Sequence, residues 1–211
     1  MAAVPRDDRP PDHDVARGPD GPGGVPAGGY DAVILAGGRA RRMGGADKPG
    51  LRVAGRPLIA WVADAVSDAG RVVVVGPARP DLPGVVTVRE DPPGSGPVPA
   101  LRAGLAEVRA AWVAVLAADL PFLRAAHVTA LLARARQHGR GAVLTDDSGR
   151  EQWLAGAWNG ETLRGALSGY RGASLKGLLG PLGPALVGAA GPRPPWYDCD
   201  TPADLDAATG M

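Results

Sequence analysis

The chain has 211 residues, with 23 Lys and Arg set against 22 Asp and Glu for a formal charge of +1. That length suits one medium α/β domain with a sizeable core, and the near-zero charge gives no general pull toward nucleic acid or anionic membrane, so any anion site must be local. The longest apolar run, Ala110 to Ala118, is too short to span a bilayer, and a lone Cys199 excludes an internal disulfide, a Cys-cluster zinc site and an iron–sulfur cluster. Arg supplies nearly all the basic charge, because only Lys48 and Lys176 are lysines. An Ala, Arg, Gly and Pro bias of this kind follows from GC-rich coding and makes each lysine conspicuous.

Residues 1–29 hold six Pro, six Gly, five Asp and three Arg, with no apolar period and no signal-like apolar core. They read as a disordered leader of charge −2, leaving +3 on a single domain over residues 30–211. Asp31–Ala36 then forms a short apolar run that stops at Gly37-Gly38, the pattern of a buried parallel strand entering a loop. Pro57 suits the first position of a helix whose face is Leu58, Trp61, Val62, Ala65 and Val66, ended by Gly70. Strands are expected at Val72–Val75 and Val85–Val88. A helix with Leu101, Leu105 and Val108 on one side leads to a strand at Trp112–Leu116, and a helix at Val128–Gln137 leads to a strand at Ala142–Thr145. Thr201-Pro-Ala-Asp204 reads as the cap, first residue and acidic third residue of a last helix. Alternation of this kind implies an α/β fold, a mostly parallel twisted sheet with helices on both faces, whose ligands sit at the carboxyl ends of the strands.

The first such end carries Leu35-Ala-Gly-Gly-Arg-Ala-Arg-Arg-Met-Gly-Gly-Ala-Asp-Lys48. Its glycines let backbone N–H groups approach an anion, and Arg39, Arg41, Arg42 and Lys48 concentrate positive charge suited to a triphosphate. It is neither a Walker A loop nor G-x-G-x-x-G, since Asp47 precedes Lys48 and Pro49 follows it. A merely exposed basic turn is the alternative.

The segment resembles the L-A-G-G-x-A-x-R-M-G-x-x-D-K signature of the nucleotidyltransferases that build the molybdenum cofactor, the guanylyltransferase (MobA-type) group above all. Gly55-Arg-Pro-Leu58 is similar to that family's G-x-P-L helix start, and the resemblance runs from Asp31 to about Asp206. It implies a Rossmann-like nucleotidyltransferase (GT-A-like) domain in the cytoplasm. GTP and molybdopterin would be its substrates, Mg²⁺ its cofactor, and molybdoenzyme apoproteins or delivery chaperones its downstream partners. No nucleic acid or membrane is implied.

Two further turns are acidic. Glu90-Asp-Pro-Pro-Gly-Ser-Gly-Pro97 is similar to a family stretch that would set Asp91 against GTP, while its residue types alone equally suit a plain turn. Ala117-Ala-Asp-Leu-Pro121 puts Asp119 where an apolar strand ends, a place from which a carboxylate holds Mg²⁺ or, alternatively, forms a turn before the next helix. The resemblance selects the metal. Asp146–Gln152 resembles the family's pterin-associated segment but suits a surface hairpin equally, with Trp153 where the family has proline; Arg171–Lys176 could bind the acceptor's phosphate, or Lys176 could be a solvated helix charge. At Val74-Val-Gly-Pro77 a polar base contact of some relatives is missing, and Cys199 is expected to be packed.

The implied reaction is in-line attack of the acceptor's terminal phosphate on the α-phosphorus of GTP. Backbone donors of Leu35, Ala36, Gly37 and Gly38, with Lys48, Asp91 and Asp119, would bind the nucleotide. Lys48 and Arg42 would offset charge on the leaving pyrophosphate, and Asp119 would hold the metal. A cytidylyltransferase, a sugar-1-phosphate enzyme and an idle nucleotide-binding adaptor are the rivals. Cytidylyl relatives carry L-A-A-G, sugar enzymes carry G-T-R-M, and an adaptor has no need of Lys48, Asp91 and Asp119 together.

Overall fold

Tyr30–Leu35 (β1) is buried along its whole length, because parallel neighbours flank it and helices cover both its faces. The computed structural model describes residues 29–37, 47–189 and 192–210. Most of the expected leader, and Gly38 with Arg39, Arg41 and Arg42, lie outside these residues.

After β1 come a two-strand ribbon, Arg52–Val53 (β2) and Arg56–Pro57 (β3), and the helix Leu58–Ala65 (α1). Then follow Val72–Val75 (β4), Val86–Val88 (β5), Pro97–Ala106 (α2), Trp112–Ala117 (β6) and Ala125–His138 (α3). The chain ends with Gly141–Thr145 (β7), Glu151–Asn159 (β8), Gly160–Gly169 (α4), Leu175–Leu179 (α5), Ala185–Gly188 (β9) and Pro202–Gly210 (α6). The main sheet has seven strands in the order β5-β4-β1-β6-β8-β7-β9, and within it β8 alone runs against the others.

Side chains alternate across β1. Ala32 and Ile34 join Ile59 and Val62 of α1 and Leu131 of α3 on one face. Val33 and Leu35 join Leu101 and Leu105 of α2 and Leu163 of α4 on the other. Each fully buried Leu or Ile contributes about 1.5–3 kcal/mol, so these two layers carry the fold. A smaller cluster of Val53, Leu58, Phe122, Cys199 and Ala208 seats α6 beside the end of β6.

Most expected elements appear within a few residues of their expected limits. Pro57 differs: it pairs with Arg52 in the ribbon and sits at the cap of α1, one residue before the helix starts. Asp146–Gln152 is a hairpin turn. Asp146 Oδ1 accepts from the amides of Ser148 (2.9 Å) and Arg150 (3.0 Å), and its Oδ2 accepts from Gln152 Nε2 (3.1 Å). The long β8 that follows was not legible, because a strand covered on both faces and rich in Ala and Gly shows no alternation. Trp158 on β8 is fully buried in a slot left by two glycines: a Cβ on Gly141 would lie 2.4 Å from its ring, and one on Gly156 2.9 Å from its Nε1.

Candidate active site

β1, β4, β5 and β6 are parallel, so the loops after them meet at one edge of the sheet. Leu35 and Ala36 are buried, and their backbone is partly spent on the sheet. Ala36 N–H donates to Val75 (2.8 Å), and Leu35 C=O accepts from Ala118 N–H (3.2 Å). Gly37 is therefore the first described residue to leave the sheet. The bare end of β4 has a steric cause: a Cβ on Gly76 would lie 2.9 Å from the Ala36 carbonyl. No side chain fits at Gly76 without moving Ala36, so this end of β4 presents backbone.

Lys48 opens a short 3-10 turn, Lys48–Gly50. Its neighbour Asp47 does not pair with it. Instead the Arg79 guanidinium, with only 8% of its side chain exposed, grips both Asp47 oxygens, Nη2 to Oδ1 at 2.5 Å. That fork holds the Asp47 carboxyl below the usual carboxylate range. The turn carrying Lys48 is thereby fixed from behind, and its side chain is left to face elsewhere.

It faces acid. Lys48 Nζ donates to Asp119 Oδ2 and to Asp200 Oδ1. Lys48 and Asp119 expose 17% and 16% of their side chains, whereas Asp200 is more open. Burial works to lower the ammonium's pKa, but the two carboxylates prevail and hold it above its ordinary value. Asp119 caps no helix: Arg124 occupies the cap of α3. Its second oxygen, Oδ1, is buried without a hydrogen-bond partner.

Asp200 and Asp198 arrive from the far end of the chain. Cys199 between them is fully buried, its N–H donating to the Asp119 carbonyl (3.4 Å) and its thiol pushed up to about 12 by burial and the nearby carboxylates. Thr201 and Asp204 then cap α6 reciprocally, Thr201 N–H to Asp204 Oδ2 at 2.7 Å and Asp204 N–H to Thr201 Oγ1 at 3.2 Å. Desolvation, then the charges of Asp200 and Asp119, push the Asp198 carboxyl above its usual value. The sequence signal for this pair was the D-C-D step before the cap, overshadowed by the cysteine between.

The third loop places its two acids differently. Asp91 is exposed, while Glu90 is 6% exposed beneath Gly37 and accepts from Gly94 N–H (2.8 Å). Lys176 and Arg171 are exposed near α5; Arg150 lies in the β7–β8 turn. Arg42 and Gly38 lie outside the described residues. Thus Lys48 and Asp119 meet directly, with Leu35–Gly37 entering the same edge, and Asp91 makes no described contact with either.

A mostly parallel sheet that brings Leu35–Gly37, Lys48 and a strand-end aspartate to one edge is the architecture of solved nucleotidyltransferases. Solved structures agree. Molybdopterin-guanine dinucleotide biosynthesis protein A from Archaeoglobus fulgidus is similar at TM-score 0.66 and 19% identity, covering 85% of this chain and 97% of that one. The 2-C-methyl-D-erythritol 4-phosphate cytidylyltransferase of Thermus thermophilus is similar at TM-score 0.66 and 23% identity, covering 86% and 98%. At these identities the likeness shows the fold.

The chain belongs to the MobA-like NTP transferase domain family, whose model matches residues 32–185. It is 35% identical over 136 residues to the molybdenum cofactor guanylyltransferase of Bradyrhizobium sp. (strain ORS 278), which is 60% of this chain and 64% of that protein. With the enzyme of the same name from Shewanella woodyi it shares 31% over 127 residues, 58% and 65%. The chain thus spans just under two thirds of the length of these relatives.

Proposed function

We propose that the chain transfers GMP from GTP to the terminal phosphate of molybdopterin carrying molybdenum, releasing pyrophosphate. An acceptor phosphate oxygen bonds to the α-phosphorus, and the bond from that phosphorus to the bridging oxygen of the β-phosphate breaks in line. The observation that carries this reading is the meeting of Lys48 and Asp119 at the carboxyl edge of β1 and β6, in a chain whose curated relatives bear the guanylyltransferase name.

No covalent nucleophile is required, so the protein's task is positioning and charge neutralisation. Lys48 neutralises charge gathering on the departing pyrophosphate, assisted by Arg42. Gly37 and Gly38 offer backbone donors, and Asp91 closes the nucleotide's side of the crevice. Among the described residues no three His, Cys, Asp or Glu cluster as a metal centre. The buried, unpartnered Oδ1 of Asp119 nonetheless fits a hard cation such as Mg²⁺, which needs few protein ligands because waters and phosphates complete its shell. Bound there by Asp119, it would supply charge neutralisation at the α-phosphate.

No helix among the described residues is long and apolar enough to cross a membrane, and with GTP as donor we place the reaction in the cytoplasm. The test incubates the protein with GTP, CTP or ATP, Mg²⁺ and the molybdenum-loaded pterin, and reads pyrophosphate and the mass of the dinucleotide. A guanine dinucleotide formed at least tenfold faster than its rivals is expected, because a wrong base leaves a buried partner unpaired at about 1–3 kcal/mol each. Preference for CTP, or nucleotide binding with no pyrophosphate release, overturns the proposal.

A further inference from the structure

Just past β5, Glu90 is a carboxylate only 6% exposed. Its Oε1 accepts from Gly94 N–H at 2.8 Å. Gly94 turns that N–H back by adopting φ +79°, a left-handed conformation open to glycine, and Ser95 N–H to the Pro92 carbonyl (3.2 Å) closes the same turn. The other oxygen, Oε2, is buried and has no hydrogen-bond partner. Buried acceptors are paired as a rule, so a half-satisfied carboxylate held this firmly points to a donor from outside the chain.

The neighbours of Glu90 say where that donor lies. Gly37 is exposed at the end of β1, and a Cβ on it would stand 3.5 Å from Oε1 and 3.8 Å from Oε2 of Glu90. Gly76 adjoins it at the end of β4, where a Cβ would lie 3.1 Å from Gly37 N. The ends of β1 and β4 thus form a shelf without side chains, and the Glu90 carboxylate stands at its border. A planar ring lying over Gly37 takes the space a side chain would fill and meets that carboxylate.

We propose that Glu90 is the residue that selects the base of the bound nucleotide, and that it selects guanine. Guanine carries two adjacent donors on one edge, N1–H and the exocyclic amine, which suit the free lone pairs of a carboxylate. Cytosine and adenine set a ring acceptor beside their amine and so turn a lone pair toward the same oxygens. Asp91, exposed beside Glu90, is then not the reader of the base. This inference rests on the nucleotidyl-transfer reading, because it takes the ring over Gly37 to be that of the donor nucleotide.

The experiment measures equilibrium binding of GTP, ITP and CTP to the full chain with Mg²⁺ and no acceptor, by isothermal titration calorimetry. ITP keeps N1–H but lacks the exocyclic amine. Wild type should bind GTP at least about tenfold more tightly than ITP, the scale of one lost charge-assisted hydrogen bond. Glu90→Gln keeps the side chain's size but has a single acceptor oxygen for Gly94 and the base together. In that variant the GTP-to-ITP ratio should fall to about threefold or less, with CTP affinity within about threefold of wild type. Asp91→Asn should leave the GTP-to-ITP ratio unchanged. Equal binding of GTP and ITP by wild type overturns the inference. So does an equal loss for all three nucleotides in folded Glu90→Gln, the result expected if Oε2 meets only a buried water, and so does collapse of the ratio in Asp91→Asn. Guanylyl transfer is assayed separately: its absence alongside the expected binding ratios defeats the proposed reaction and leaves Glu90 as the reader of the base.

Discussion

Lys48 and Asp119 make the sharpest residue-scale predictions. Lys48→Ala should cut turnover by about 10²–10³-fold, as loss of one preorganised charge does at other transfer sites, with Lys48→Arg recovering only part of the rate because its fork is bulkier. A purely structural lysine predicts unchanged turnover, and steady-state pyrophosphate release decides. Asp119→Asn should leave the thermal midpoint close to wild type while costing at least about 100-fold in Mg²⁺-dependent turnover, since an amide is a poor ligand for a hard cation. Near-full activity at limiting Mg²⁺ would make Asp119 a turn-former after all, against its lack of any capping contact. At this scale Asp47 matters too: the carboxylate next to Lys48 in the chain is taken by Arg79, which leaves Lys48 to Asp119 and Asp200.

Two helices test how elements hold the site. α2 lies so close to the sheet that a Cβ on Gly104 would stand 2.6 Å from Val33 Cγ1 and 2.8 Å from Val75 Cγ2. In an exposed helix Gly→Ala gains about 1 kcal/mol, but here the methyl must push two buried valines under β1 and β4. Gly104→Ala should therefore destabilise by about 1–3 kcal/mol, read from denaturant midpoints, and a stabilised variant would show that the layers slide freely. α6 carries a different load, because its cap sits next to Asp198 and Asp200. Thr201→Ala should cost about 1 kcal/mol and weaken GTP affinity as well, through looser placement of Asp200. Loss of stability with GTP affinity intact would separate the helix from the site.

Across the whole molecule, depressed and raised carboxyls set the acid limit with opposite signs. Asp47, Asp146 and Asp204 are held below their ordinary pKa, by Arg79, by the Ser148 hydroxyl and by Thr201 respectively. Each supplies stability that is present above about pH 4 and lost as pH falls through its lower folded value. Asp198 is raised, so its ionisation opposes folding at neutral pH and relents on acidification. Asp47→Asn should thus lower stability at pH 7 by no more than about 1 kcal/mol, the pair being partly exposed, and its deficit against wild type should close as pH falls through the lowered folded value. A deficit that persists in acid would place the effect in the turn rather than in the charge.

The alternating pattern of apolar strands and amphipathic helices was legible because burial on both faces forces continuous valine and leucine runs, as in Val72–Val75 and Trp112–Leu116. Lys48 and Asp119, which the structure brings together, stood out in the sequence too, because the apolar pattern of the strands before them does not explain them. The sequence by itself thus determined the order of the main strands and helices from β1 to β7, the family, and the edge of the sheet proposed to react. Only the tertiary structure decided that β8 enters antiparallel between β6 and β7, that Glu90 rather than Asp91 lies buried under Gly37, and that Asp200 reaches Lys48 across 152 positions. Those choices depend on contacts between residues far apart in the chain, where local periodicity and propensity carry no information; packing around Cys199 and α6 makes the last of them.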